Sequence, residues 1–451
     1  MNWLNLPPLE AIAVQTAFFR STARFIAADC GRRSGKTERA FRRTLKCLFR
    51  QHPTADHPKY LWGLPTEDQA RNTIWGKFQS SLDPLYRRGI VRYKNLNIEI
   101  QTGRRPDGTP TSSILLVRGM MNPFRVEGEG YYGAVLDEMS DMPPSAYGKS
   151  VFPAISDRRC NGWAMLLGVP KVRGIGASAF RAICEKWDAD PDPQYARFHW
   201  TSDLVLPPET IAEARKQLDE KTFREQFMAS WETASGRVYY AFSRKQNVAE
   251  GMEPDPNEPL LIGCDFNVSP MSWVVCQAPL DDSGSLKSGG TIRVLDELRI
   301  YDTWTQEALD VLWERWGHHP AGFVFYGDAA GQHNSTNAMI SDWVIIEQDS
   351  RFFRNFNDWT EMYFPAANPY VADRVASVNS ILRNAAGTVR CKINKSCEYL
   401  IKDLEDVVWL ENVRKVDARD HERTHMADAL GYLIHEIAPI GFDFLKNEPP
   451  C

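Results

Sequence analysis

Two sets of residues in this chain have the types and spacing that phosphate chemistry needs. The first is the run CGRRSGKT, Cys30 to Thr37. Gly35 lets the backbone approach phosphate oxygens while successive N–H groups, with Gly31 and Ser34 in the loop, point inward. Lys36 reaches β- and γ-phosphates, and Thr37 offers a hydroxyl to Mg²⁺, so the loop predicts ATP with Mg²⁺. The usual first glycine is replaced by Cys30. Downstream, YYGAVLDEMSDM brings Asp137, suited to hold Mg²⁺ through water, and Glu138, suited to polarise an attacking water. The second set is Asp265, Asp328 and Asp428, with Glu297 as an accessory. Carboxylates gathered at one sheet edge repel each other unless divalent cations neutralise them, and hard oxygen ligands suit Mg²⁺ or Mn²⁺. Two such ions about 4 Å apart activate water and stabilise the leaving oxygen of a phosphodiester. Each signal also has a plainer reading: a chance GKT in a turn, or an acid that ends a strand in solvent.

The elements around these residues supply the context. RFIAAD (24–29) reads as a buried strand that runs straight into the loop, and ERAFRRTLKCLFRQ as the helix after it. YLWGLPTEDQARNTIW (60–75) reads as strand, turn and helix, and AMLLGVP (164–170) as another buried strand. These alternations predict a mostly parallel sheet with helices on both faces and ligands at the carboxyl ends of its strands. LPPETIAEARKQLDEKTFREQFMASWE predicts two helices, the first started by Pro207, Pro208 and Glu209. With a boundary near Ser235, the expected division is a phosphate-loop domain over 1–203, a helical lid or linker over 204–235, and a carboxylate-bearing domain over 236–451.

In that last part, GRVYYAF opens a β-rich stretch, and Leu260 to Cys264 form a strand with Asp265 at its end. SWVVCQAP is its antiparallel neighbour and TIRVLDELRI a third strand. Alternation there points Glu297 towards the site and Asp296 away. A helix, TWTQEALDVLWERW, leads to GFVFYGDAAG, a strand ending at Asp328. HERTHMADALGYLIHEI is an amphipathic helix with Asp428 one turn after His425, which could equally be a surface residue. Residues 370–409 alternate apolar helical faces with Arg and Lys, read as solvated faces before DNA contacts.

Composition leaves function open. The chain has 451 residues, a net charge of -5, and nine cysteines without a CxxC pair, which argues against a zinc site or a disulfide framework. The negative balance does not advertise a nucleic-acid binder, although local basic patches can serve. No apolar run approaches membrane-spanning length and no signal peptide is evident, so a cytoplasmic location is expected.

Both motif sets, in this order, resemble the large terminase subunits of tailed bacteriophages, from Gln15 to about Ile437. The likeness rests on CGRRSGKT, with arginines inside the loop; on Gln15, matching a glutamine that contacts adenine; on Pro65, Thr66, Gln69 and Ala70; and on the pair Asp137 and Glu138. The family's coupling motif is typically Gly-Thr-Pro and here reads Gly168-Val169-Pro170. The three aspartates match the family's acidic positions, and His425, Asp428, Ala429 and Tyr432 match the sequence around the last. The resemblance implies a RecA-like ATPase of the P-loop class and a ribonuclease H-like nuclease. It implies that Arg32 or Arg33 acts in cis on the γ-phosphate, a solvated or DNA-facing pair being the alternative. It further implies a motor that moves double-stranded DNA into a procapsid, with a small terminase subunit and a portal protein as partners. The motor would be a homo-oligomeric ring, a pentamer on the portal, with a monomer in solution left open and no membrane. It would work in the host cytoplasm, transiently docked on the portal. The alternatives are a helicase fused to a nuclease, which predicts a second RecA-like domain, and a nucleotide-binding scaffold with a decayed nuclease.

Overall fold

The computed structural model describes residues 4, 6, 12–171, 174–232, 236–332, 340–352, 361–410, 416 and 423–440. The expected boundary at Ser235 and most of the N-terminal segment lie outside the described residues. The chain forms two compact units, one of residues 1–211 and 224–233, the other of 212–223 and 234–449.

The first unit is built on eight strands: β1 (Phe25–Cys30), β2 (Lys59–Leu64), β3 (Val91–Lys94), β4 (Asn97–Arg104), β5 (Pro110–Gly119), β6 (Gly133–Asp137), β7 (Trp163–Gly168) and β8 (Tyr195–Trp200). Their order is β3-β4-β5-β2-β6-β7-β1-β8. β1, β2 and β5 to β8 pair in parallel, whereas β3 and β4 are antiparallel additions. The central parallel strands β1, β2, β6 and β7 are mostly apolar because both faces are covered, whereas the edge strand β8 carries Arg197 and His199. Trp62, Phe41 and Phe78 pack on one face, and Leu136, Met142 and Phe180 on the other. Such strands show no alternation, which is why RFIAAD and AMLLG read as plain apolar runs.

The second unit carries β9 (Val248–Ala249), β10 (Leu260–Asp265), β11 (Met271–Gln277), β12 (Ile292–Ile300), β13 (Phe323–Gly327), β14 (Glu361–Tyr363) and β15 (Cys391–Asn394), in the order β14-β13-β10-β11-β12-β15-β9. β10 to β12 form the expected antiparallel run, and β13 pairs with β10 in parallel, so the sheet is mixed. The helix His425–Ile437 lies across β10. Their close approach needs Gly263, where a Cβ would stand 2.5 Å from the Ala429 carbonyl oxygen.

The two predicted helices are Pro208–Gln217 and Glu220–Gln226, the first with proline at its opening position. All eight described cysteines are free. Among the described residues no helix is long and apolar enough to cross a membrane.

Candidate functional sites

At the end of β1 the chain turns through Cys30–Gly35 into the helix Lys36–Leu48. Arg33 and Gly35 take left-handed backbone angles, φ 56 and 81, which closes the loop tightly. Gly31 is the glycine that packing demands: a Cβ there would meet the Ser202 Oγ at 2.3 Å and the Phe227 carbonyl at 2.6 Å. The loop's own polar groups are braced from outside. The Arg32 N–H donates to the Gln226 carbonyl (2.6 Å) and the Ser202 hydroxyl to the Arg32 carbonyl (2.6 Å). The Ser34 hydroxyl bonds the Gly31 carbonyl, while the Ser34 carbonyl accepts from both Gln15 Nε2 (2.7 Å) and Trp200 Nε1 (2.8 Å). Gln15 is buried and its Oε1 accepts from Arg39 (2.9 Å), so here its amide supports the loop.

β6, two strands from β1 across β7, ends in Asp137 and Glu138. The Thr37 hydroxyl lies beside the buried Asp137 carboxylate and favours its charged form. Lys36 Nζ stands 3.5 Å from Glu138, whose backbone takes the left-handed conformation, φ 65. Burial and the neighbouring Glu138 charge raise Asp137 to about 6. Burial works the same way on Glu138, but Lys36, Lys171 and Arg32 overcome it and hold that carboxyl below its ordinary value. Burial alone would depress Lys36; Glu138 and Asp137 reverse this and raise it. These groups open on a cleft of about 500 Å³ lined also by Arg32, Gln69, Thr73, Lys77, Asp141, Val169, Lys171 and Gln226. Arg33 is exposed beside the loop and does not line that cleft. The Pro65–Ala70 segment forms a capping box, Thr66 and Gln69 each accepting the other's backbone N–H, with Ala70 buried beneath.

In the second unit, register sets Cys264 opposite Gly327, so Asp265 and Asp328 emerge side by side from neighbouring parallel strands. The helix over β10 brings His425 and Asp428 to the same end. His425 Nδ1 lies 2.8 Å from Asp265 Oδ2, and Asn267 Nδ2 lies 3.2 Å from His425 Nε2. Asp428 accepts from Arg374 Nη2 (2.6 Å), a buried guanidinium stacked over the Tyr432 ring. Burial, reinforced by the Asp265 charge and opposed by Arg374, lifts Asp428 to about 6. Burial and Asp265 also raise Asp328. The bond to Asp265 raises His425. The donor set and its mutual repulsion suit a hard divalent cation. In the present side-chain arrangement the Arg374 guanidinium supplies positive charge beside Asp428, and His425 bonds Asp265. Among the described residues no three His, Cys, Asp or Glu side chains are grouped closely enough to hold an ion.

Glu297 stands elsewhere. Alternation along β12 does separate it from Asp296, which faces Arg315 and Trp316. However, β11 lies between β12 and β10, and both Glu297 oxygens accept backbone N–H groups, of Tyr399 (2.9 Å) and Leu400 (2.8 Å), at the start of the helix Glu398–Asp406. The structure therefore does not bring it to the three aspartates as an accessory.

Several residues around these sites went unread in the sequence. Asp29, fully buried before the loop, is held by Arg197 (2.9 and 2.7 Å), His199 and Trp231 Nε1 (3.0 Å). Lys171 pairs with Asp141 in the cleft. Arg374 and Asp403 frame the helix that carries Asp428. Only the strand-end position of Asp29 left any trace.

The fold and these sites define a class: a phosphate-loop α/β unit joined to a mixed-sheet α/β unit with acids at its strand ends. The chain is similar to phage terminase large subunits. It is 25% identical to the large terminase subunit of Thermus phage G20c over 337 residues, covering 68% of this chain and 66% of that one. It is likewise 25% identical to that of Thermus virus P23-45 over 338 residues, again spanning 66% of its length. The large terminase of a thermophilic bacteriophage shares the fold, with a TM-score of 0.57 at 16% identity over 95% of this chain and 99% of that one. The same thermophilic-phage protein in complex with ATP-γ-S gives 0.56. No protein-family profile matches the chain.

Proposed function

We propose that the chain is a large terminase subunit: an ATP-hydrolysing motor that drives double-stranded viral DNA into a procapsid, joined to an endonuclease that cuts concatemeric DNA when packaging starts and ends. Its ATPase domain would span 1–203, its lid 204–235 and its nuclease 236–451. Its partners would be the small terminase subunit and the portal, on which it forms a ring while docked in the host cytoplasm. The observation that carries the reading is one chain holding both Lys36 and Thr37 against an Asp137–Glu138 pair and three aspartates at one end of a second sheet.

In the first unit, Lys36 now faces Glu138; with ATP bound it would move to the β- and γ-phosphates. That frees Glu138 to orient the water attacking the γ-phosphorus and take its proton, giving ADP and phosphate. Thr37 and Asp137 would hold the nucleotide's Mg²⁺, and Arg32 or Arg33 would meet charge on the γ-phosphate. Gln15 would serve the adenine. The thermophilic-phage terminase's complexes with ADP and ATP-γ-S support a nucleotide in this cleft. In the second unit Asp265, Asp328 and Asp428 would hold two divalent cations, which supply a nucleophilic hydroxide and charge for the leaving oxygen. Glu297 would support this site at a distance, through the helix start it holds. The helicase alternative calls for a second mostly parallel nucleotide-binding sheet, and the second sheet here is mixed.

The test uses the full chain. Lys36→Ala is expected to lower ATP turnover by about a hundredfold or more while plasmid cleavage with Mn²⁺ or Mg²⁺ persists. Asp265→Ala is expected to do the reverse. Loss of both activities in either variant, or cleavage in the presence of a chelator, would contradict two separate sites.

A further inference from the structure

The segment after β7 holds a residue with no part in the mechanism above. β7 lies between β1, which feeds the phosphate loop, and β6, which ends in Asp137 and Glu138. Register sets Asp29 opposite Gly168 and Asp137 opposite Leu167. The chain leaving β7 therefore emerges between the groups that grip phosphate and those that direct water. Its first residues, Val169 and Pro170, carry no polar side-chain atom. Lys171 is the first that does, and it lines the cleft together with Thr37, Asp137 and Glu138. Its ammonium is paired with Asp141, on the turn just beyond Glu138, and both partners remain partly exposed, at 26% and 35%.

The two turns are fastened independently of that ion pair. The Ser140 hydroxyl donates to the Val169 carbonyl (2.6 Å), and the Gly176 N–H donates to the Ser140 carbonyl (3.0 Å). Gly174 packs so closely that a Cβ would stand 1.8 Å from the Ser140 oxygen. Lys171 can thus exchange its partner without unfastening either turn. A flexible ammonium held by one half-exposed carboxylate is a point charge that a stronger anion can capture.

We infer that Lys171 contacts the terminal phosphate of a bound nucleoside triphosphate, and that Asp141 holds it when that phosphate is absent. This rests on the nucleotide reading of the cleft and adds to it a device that separates triphosphate from diphosphate. A diphosphate lacks the group the lysine would reach, so the Asp141 pair re-forms after hydrolysis. The exchange reports to Glu138 through the same turn.

The experiment measures the affinities of the full chain for ATP-γ-S and ADP with Mg²⁺. Lys171→Met keeps the aliphatic stem and removes the charge. It should weaken ATP-γ-S roughly ten- to a hundredfold, the range for losing a charged hydrogen-bond partner, and leave ADP within about twofold. Asp141→Asn frees the lysine and should tighten ATP-γ-S relative to ADP. Unchanged ADP affinity in Lys171→Met shows that the unit is folded. Equal loss for both nucleotides, or no loss for either, overturns the assignment. A parent chain that binds neither nucleotide overturns the reading of the cleft itself, and the lysine's role with it.

Discussion

Asp29 is a charge with no solvent contact, and its three neighbours decide what it does to stability. Burial by itself would raise its carboxyl, but the bonds from Arg197 and His199 more than reverse that and hold it below the ordinary 3.8. A carboxyl depressed in the folded state adds stability above its unfolded value and loses it as pH falls through the folded one. Asp29→Asn is therefore expected to cost about 3 kcal/mol near neutrality, because it leaves Arg197 with only the exposed Asp188 as a charged partner. That difference should shrink below about pH 4, which urea unfolding at several pH values would record. A gap that stayed constant with pH would exclude the charge as its source. The contrast with Gly35, Lys36 and Thr37 shows what was legible at this scale. Their chemistry is contiguous in the chain, so spacing alone announced it. Asp29 takes its meaning from residues 168 to 202 positions away, which no local pattern contains.

At the scale of elements, the helix His425–Ile437 starts without a side-chain cap of its own, since Thr424 has φ 83 and offers no bond. Asp403, from the neighbouring helix, substitutes: its Oδ2 accepts from the Met426 (3.1 Å) and Ala427 (3.3 Å) N–H groups. Asp403→Ala is expected to cost about 1–2 kcal/mol, as loss of an N-cap does, and to shift Tm by a few degrees. Asp403→Asn keeps an acceptor and should recover most of that. Gly263→Ala tests how tightly this helix sits on β10. The added methyl meets the Ala429 carbonyl, so the variant should be destabilised and, on the proposed function, lose metal-dependent cleavage with it. An alanine tolerated in both assays would mean that strand and helix separate easily. Period-two alternation in β12 was readable, and it divided Asp296 from Glu297 correctly. The target of each face was not, because the order of strands lies beyond any single strand's pattern. β11 intervenes, and Glu297 meets a helix start instead of the aspartates.

Across the whole molecule, the alternating strand and helix signals of the first unit and the antiparallel run of the second were legible, since each arises within short stretches. The antiparallel additions β3 and β4 escaped notice because they lie outside the alternation of strand and helix. The path of the chain was also hidden: it leaves the first unit after Ile211 and rejoins it at Arg224. What it returns with matters. Gln226 receives the Arg32 N–H, Phe227 receives the Ser202 N–H, and Trp231 bonds Asp29. A polypeptide stopped at residue 203 would keep every residue of the phosphate-loop motif and yet strand those donors and that acid. A longer one reaching residue 233 would restore them. Anyone preparing the first unit in isolation should find the shorter version insoluble or, on the proposed function, nucleotide-blind, and a single proteolytic cut near residue 218 should loosen a motif that lies far away in sequence.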